Sequence, residues 1–334
     1  MSATADWYRR AAVELAVTSE RQVDWALGVT GDPELLALIE ALPREHRQPS
    51  LLFAAAAWCG APAADYPRWR DWVVAHWDDV ADVARTRRTQ TNEVGRCIPL
   101  LVALDRIPGP IALLELGAAA GLCLALDRYS YRFDDDPPLG SGEPLLATTT
   151  TGVGTAPTRM PEIVWRRGID LHPLSPTAPD DRRWLEALLP PDRPARLARL
   201  RAALAAVADD PPLVVAGDAL SALPSVAAVA AEEAPGASLV VASLGTLVYL
   251  PPADRAALAP AVREAGGRLV TFEAAGALPG VLERMRGLSA PHPTPFVLAL
   301  DGEPLAHAAA HGDRISWLSQ IGPAGQPELP ATGT

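Results

Sequence analysis

Ile111-Ala-Leu-Leu-Glu-Leu-Gly-Ala-Ala-Ala-Gly-Leu122 runs from an apolar strand through an acid into two glycines four residues apart, and on into an apolar helical run. The pattern places Glu115, Gly117 and Gly121 at the carboxyl end of a strand, where open α/β sheets bind nucleotides. A dinucleotide loop needs a glycine at its second position so that backbone N–H groups can press against a pyrophosphate. Here Ala119 and Ala120 follow Gly117 and Ala118, so close phosphate approach is disfavoured. A ligand carrying adenosine without phosphate, such as S-adenosylmethionine, asks less: a tight turn, a nearby carboxylate and apolar helix packing.

Outward from this stretch, short apolar strands alternate with helices. Strands are expected at 111–116, 163–171, 212–218, 237–243 and 268–273, with helices at 122–127, 181–189, 195–208, 225–231 and 253–264 between them. The period-2 segment 129–133 is read as opening an inserted hairpin with 145–151, the insert spanning about 129–161. Segments 296–300 and 314–318 read as a closing antiparallel hairpin. Parallel strands joined by helices predict a doubly wound, Rossmann-like α/β sheet. Residues 1–108 read as helices throughout and predict a helical N-terminal cap; 109–321 would form the sheet domain and 322–334 a disordered Pro/Gly-rich tail. Within the cap, Asp32-Pro-Glu34 is a helix start, and Trp69, Trp72, Val73, His76, Trp77 and Val80 fall on one helical face. Six of the nine tryptophans precede position 78, which predicts an aromatic bundle core.

Composition narrows the chemistry. A net charge of -11 and a pI near 5.0 argue against a nucleic-acid partner. All 29 basic residues are arginine, which removes the P-loop lysine, the Schiff-base lysine and the kinase strand lysine together. Arginine, alanine and proline abundance with a single asparagine, Asn92, reads as GC-rich codon usage. Cys59, Cys97 and Cys123 show no metal spacing and are expected as reduced core residues. His307 and His311 are the only histidines at i,i+4 spacing, lack an H-E-x-x-H context, and are expected at the surface or in turns. No export signal and no apolar run of ~18 residues is present, so a cytoplasmic protein without a membrane partner is expected. Leu329-Pro-Ala-Thr-Gly333 resembles a sortase motif, but neither an apolar anchor nor a basic tail follows it.

Two further regions carry polar chemistry. Arg87-Arg-Thr-Gln-Thr-Asn-Glu-Val-Gly-Arg96 leads into Cys-Ile-Pro-Leu-Leu-Val-Ala-Leu104. A helix beginning near 89–91 would put Val94, Cys97, Ile98 and Leu101 on an apolar stripe and gather Thr89, Asn92, Glu93 and Arg96 opposite. That face is either solvated or, near a helix N-terminus that favours anions, part of a site. Asp170 ends the second strand and Asp218 the third, positions where carboxylates accept ribose hydroxyls or an adenine amine.

Taken together, Gln48-Pro-Ser-Leu-Leu-Phe53, Thr89-Gln-Thr-Asn-Glu-Val-Gly-Arg96, Leu114-Glu-Leu-Gly-Ala-Ala-Ala-Gly-Leu122 with Asp127-Arg-Tyr129, Arg167-Gly-Ile-Asp-Leu171 and Gly217-Asp218 resemble a bacterial family catalogued as domain of unknown function 2332. The resemblance covers roughly 5–320 and implies a class I methyltransferase-like fold with a seven-stranded sheet. The glycine loop is also similar to the first motif of S-adenosylmethionine-dependent methyltransferases, departing from it at Ala119. On this footing Glu115, Gly117, Ala118, Ala119, Gly121, Asp170 and Asp218 are the expected cofactor residues. Thr91, Asn92, Arg96 and Tyr129 are expected at the substrate, a small molecule. Methyl transfer is governed by proximity and alignment, so a base such as Glu93 or Tyr249 is optional. The alternative is a non-catalytic ligand-binding or regulatory protein of the same fold; a nicotinamide-dependent oxidoreductase is opposed by Ala119.

Overall fold

A computed structural model describes residues 2–90 and 92–320. The chain divides into two compact units, Met1–Thr91 with Thr177–Arg201, and Asn92–Pro176 with Ala202–Thr334. The first unit holds α1 (Ala3–Leu15), α2 (Glu20–Thr30), α3 (Pro33–Glu40), α4 (Pro49–Cys59), α5 (Tyr66–Ala75) and α6 (Trp77–Thr86). The division thus falls near 91, not at 108. Helix α7 (Cys97–Leu104) is buried at every position and packs on the sheet of the second unit. Conversely, α8 (Pro179–Ala187) and the first part of α9 (Pro194–Ala206) belong with the first unit. The tail from 321 onward, including the sortase-like pentapeptide, lies outside the described residues.

Local chemistry explains the helical unit. Asp32 caps α3 by accepting the Leu35 N–H at 2.9 Å, with Pro33 in the first turn, and Ser2 and Ser19 cap α1 and α2 in the same way. The six-residue aromatic face does not persist as one stripe, because the chain turns at His76 between α5 and α6. Trp69, Val73 and Val80 are buried, while the Trp72 ring stacks on the exposed His76 ring at 4.0 Å. The aromatic core is instead Trp25 stacked on Trp69 at 4.9 Å, with Phe53 edge-on to both and to Tyr8. A Cβ on Gly28 would fall 2.2 Å from the Tyr66 ring, so glycine is what lets α2 meet α5.

The second unit is mixed α/β. Its strands are β1 (Ile111–Leu116), β2 (Ser130–Phe133), β3 (Leu145–Thr151), β4 (Ile163–Asp170), β5 (Val214–Ala216), β6 (Ser238–Leu244), β7 (Arg268–Ala274), β8 (Leu288–Ser289), β9 (Phe296–Leu300), β10 (Glu303–Ala308), β11 (Arg314–Trp317) and β12 (Ser319–Gln320). Ten of them form one sheet in the order β2-β3-β11-β10-β9-β7-β6-β1-β4-β5, and β8 pairs with β12. The sheet is mostly parallel; the antiparallel pairs are β7 with β9, β9 with β10 and β10 with β11. Helices α10 (Ala219–Glu233) and α11 (Pro252–Glu264) pack on one face against Leu114, Leu116, Val241 and Leu269. On the other face, reached by Leu113 and Glu115 through strand alternation, lie α7 and the 3-10 run Leu122–Arg128.

Several expectations are corrected. The sheet has ten strands, not seven. The inserted segments pair in parallel, since the loop 134–144 is long enough to carry the chain back across. The closing hairpin is interrupted by β10, whose Pro304 sits at a register shift that spares the ladder a missing donor. The helix expected from 89–91 starts instead at Cys97, as α7, with Pro99 in its first turn, because a proline in a helix interior clashes with the carbonyl four residues earlier. Residues 122–127 are likewise 3-10 rather than α-helical, with a kink at Ala125.

Asp32 is the point in the helical unit where charge and capping coincide. Its Oδ2 accepts from Arg70 Nε at 2.7 Å and from the Tyr66 hydroxyl at 3.0 Å. Burial would raise its pKa, but the Arg70 hydrogen bond, the Leu35 N–H and the Tyr66 hydroxyl together hold it below the ordinary aspartate value. Asp32→Ala is expected to cost about 2–4 kcal/mol in denaturant unfolding. A folded-state pKa below the unfolded one gives stability that is complete above the unfolded value and lost as pH falls through the folded one. The difference between the two proteins should therefore be full at neutral pH and shrink below about pH 4.

Candidate functional site

After β1 and the excursion to β2 and β3 at the far edge, the chain adds β4 and β5 on one side of β1 and then β6 on the other, so the strand order reverses between β1 and β6. Ligands of open α/β sheets bind outside the carboxyl ends of strands at such a reversal. The glycine loop leaves β1 at this place, with Gly117, Ala119 and Gly121 all at positive φ. The N–H groups of Gly117 and Ala118 donate to the Ile169 carbonyl at 2.8 and 3.3 Å, and that of Ala119 donates to Asp170 Oδ2 at 2.8 Å. Gly121 N–H donates to the Ala118 carbonyl at 2.7 Å and Leu122 N–H to Asn92 Oδ1 at 3.2 Å. Five backbone donors are thus committed within the chain, and the loop does not form a phosphate cradle.

The stretch before α7, in which Val94–Arg96 form a 3-10 turn, straps this loop. Asn92 uses both ends of its amide, donating from Nδ2 to the Ala118 carbonyl at 3.3 Å while accepting from Leu122. Glu93 is buried, accepts the Gly95 N–H at 3.2 Å, and its carbonyl accepts the Cys123 thiol at 3.6 Å. Arg96 reaches the end of β6, donating to the Leu244 carbonyl and, at 3.4 Å, from Nε to the Ala310 carbonyl. A Cβ on Gly245, at φ 84°, would fall 2.5 Å from the Arg96 guanidinium, so glycine there is what admits the arginine.

Acids surround that cation. Glu115 is buried, and its Oε2 has no hydrogen-bond partner. Burial, and next the Cys123 thiol, push its pKa well above the usual carboxylate range, with Arg96 pulling the other way. Glu273, also buried, gathers four donors on one oxygen: the Ser243 hydroxyl at 2.7 Å and the N–H groups of Gly245, Thr246 and Leu247 at 2.9, 2.7 and 3.1 Å. Burial raises its pKa and these donors oppose the rise. Thr246, held by that carboxylate, donates its hydroxyl to the Leu116 carbonyl at 3.1 Å and bridges β6 to β1. Asp170 Oδ1 accepts the His172 N–H at 2.8 Å, so both its oxygens support backbone.

Asn92, Glu93, Arg96, Glu115, Gly117, Ala118, Ala119, Gly121 and Asp170 therefore come together. Other expected residues stand apart from them or serve the scaffold. Asp218 is exposed and caps α10, accepting from the Ser221 N–H at 3.0 Å and its hydroxyl at 2.9 Å; these bonds lower its pKa. Tyr129 is fully buried and donates to the Leu122 carbonyl at 2.8 Å, supporting the loop from within. Tyr249 is 66% exposed, in the 3-10 turn Leu247–Tyr249. Thr91 lies outside the described residues.

Thr246 and Glu273 were not singled out from the sequence, although Gly245-Thr246 follows a strand as Gly117-Ala118 does and Glu273 closes another. Of the two spaced histidines, His311 lies in a turn as expected and His307, in β10, does not. His307 is buried with Nδ1 2.7 Å from the Thr294 carbonyl, and His311 Nδ1 lies 3.3 Å from Glu93 Oε2. Cys97 and Cys123 are buried free thiols, Cys59 is half-buried, and no metal-binding cluster occurs among the described residues. No described helix is long and apolar enough to cross a membrane.

Two glycines separate backbone strain from steric closure. Gly109 has φ 79° and open space where a Cβ would sit, whereas a Cβ on Gly117, at φ 70°, would fall 2.3 Å from Thr246 Oγ1. Gly109→Ala is expected to cost about 1 kcal/mol and Gly117→Ala a further 1–3 kcal/mol or so through overpacking, measured by denaturant unfolding. Equal costs would show that Thr246 does not close the crevice.

No curated protein and no solved structure matches the chain. A family model described as an uncharacterised protein conserved in bacteria, domain of unknown function 2332, matches residues 5–317. The chain belongs to that bacterial family.

Proposed function

We propose that the chain is an S-adenosylmethionine-dependent methyltransferase acting on a small molecule, with a Rossmann-like, class I methyltransferase-like sheet. The order β5-β4-β1-β6-β7, counted along the chain as third, second, first, fourth and fifth, matches the nucleotide-binding α/β arrangement and supports the fold. The observation that carries the function is the Glu115 carboxylate, buried at the strand-order reversal with an unpartnered oxygen, beside a loop whose donors are spent. That crevice offers an acceptor rather than an anion cradle. It fits a ligand that brings a cation and no phosphate, as S-adenosylmethionine does.

When bound, that cofactor supplies an electrophilic methyl group. Glu115 and Arg96 would hold the charged groups of its amino-acid portion, and the turn at Gly117 would admit its close approach. Asp170, whose oxygens accept the Ala119 and His172 N–H groups, would hold the ribose from the end of β4. Glu93 or Tyr249 would serve as the optional base. The competing reading, a non-catalytic binding protein, is favoured by the closure of the crevice by Thr246 and Arg96 and by the burial of Ala118, Ala119 and Ala120.

Calorimetry decides between these. S-adenosylmethionine should bind and NAD should not. Glu115, its pKa raised by burial, must be ionised to accept a cation, so below that raised pKa binding releases a proton. Affinity should then rise about tenfold per pH unit until the raised pKa is passed, and Glu115→Gln should remove both the affinity and its pH dependence. Equal or tighter NAD binding would overturn the proposal. Binding without methyl transfer to any component of a bacterial metabolite extract would favour the non-catalytic reading.

Asp218→Ala separates capping from adenine recognition. Loss of about 1 kcal/mol of stability is expected from the cap alone. A parallel loss of S-adenosylmethionine affinity supports the adenine role, and unchanged affinity removes it.

A further inference from the structure

The helical unit contains its own cavity, of about 370 Å³, within the size range of small-molecule sites. Its walls are aromatic and rigid. Trp25 and Phe53 contribute from the aromatic core, Trp58 stands at the half-exposed side, and Pro190, Pro191 and Pro194 fix the backbone opposite. Trp25 is locked by its stack on Trp69 and by donation from Nε1 to the Ala64 carbonyl at 2.9 Å.

The charge lining this cavity is unbalanced. Its one carboxylate, Glu186, is taken by Arg201 in a two-pronged pair at 3.0 and 2.7 Å. Arg193 donates from Nε to the Thr18 carbonyl at 2.6 Å and lies 4.0 Å from Asp192, whose carboxylate already accepts from Ser19 and Arg21. Arg183 has no carboxylate partner among the described residues: it donates to the Trp58 carbonyl and lies over the Trp58 ring at 4.5 Å. Its guanidinium is thereby oriented along an aromatic wall with donors to spare. An unpaired guanidinium flanking an indole face and an apolar recess selects a flat apolar ring bearing one anionic group. Walls of prolines and interlocked aromatics lose little freedom when such a ligand enters.

We infer that this cavity is a binding site for a small aromatic carboxylate, with Trp58 and the facing prolines against the ring and Arg183 on the carboxylate. The site lies within the helical unit and stands independently of the methyltransferase reading. The test is calorimetric titration of the full chain with indole-3-carboxylate, with uncharged indole as the control. Saturable one-to-one binding is expected, weaker by about tenfold or more in Arg183→Gln and for indole. Arg183 is exposed, so this variant should keep the parent's melting curve, and Trp58→Phe should retain most of the affinity by preserving a ring face. Absence of saturable binding at millimolar ligand, or equal affinity in parent and Arg183→Gln, would overturn the assignment.

Discussion

The loop 117–121 is held by the chain's own acceptors, and the rest of the crevice depends on that constraint. Three residues at positive φ turn the backbone sharply, and Ile169, Asp170 and Asn92 accept N–H groups from the loop and from Leu122 just after it. Unpaired donors at this depth would each cost about 1–3 kcal/mol, so the acceptors fix the conformation as well as occupying it. Asn92, the only asparagine in the chain, is suited to the task because its amide offers a donor and an acceptor on one planar group. The strap 92–96 is accordingly part of the sheet unit although it precedes β1.

Once the strap is seated, Arg96 must share its charge among buried acids. Glu93, Glu115 and Glu273 all lie in the same unit and are all buried, and burial shifts Glu115 and Glu273 toward the neutral form. Glu273 meets this with four hydrogen-bond donors on one oxygen. Glu115 has no such cage and has an oxygen without a partner. The asymmetry is chemical: one buried acid is satisfied and shapes the 243–247 turn, while the other is left with capacity for a ligand. Native structures leave few such groups, and an unsatisfied one calls for a function or an absent partner.

The legible parts of the sequence were those in which period and punctuation agree. β1, β4, β6 and β7 are apolar runs bounded by acids or glycine, and each lies within about two residues of its expected place. Direction of pairing was not legible, because the alternation in 130–133 and 145–151 is the same for a parallel or an antiparallel partner. Strand β10 was hidden by Pro304, which local rules count against a strand. At 89–96 the apolar stripe suggested a helix, while Pro99 carried the contrary and decisive signal. For the site, the acid-glycine loop and the Asn-Glu-Val-Gly-Arg run were readable as chemistry. Thr246 and Glu273 matter only through the adjacency of β6 and β7, which no local pattern states.

Native-state hydrogen exchange of the Gly117, Ala118, Ala119, Gly121 and Leu122 amides tests this account most directly. If these donors are committed to Ile169, Asp170, Ala118 and Asn92, they should exchange as slowly as the amides of Leu113 and Leu114 in β1, and Asn92→Ala should selectively release Leu122. Fast exchange of the loop beside a protected β1 would contradict it, because donors free to exchange with water are donors free to cradle a phosphate.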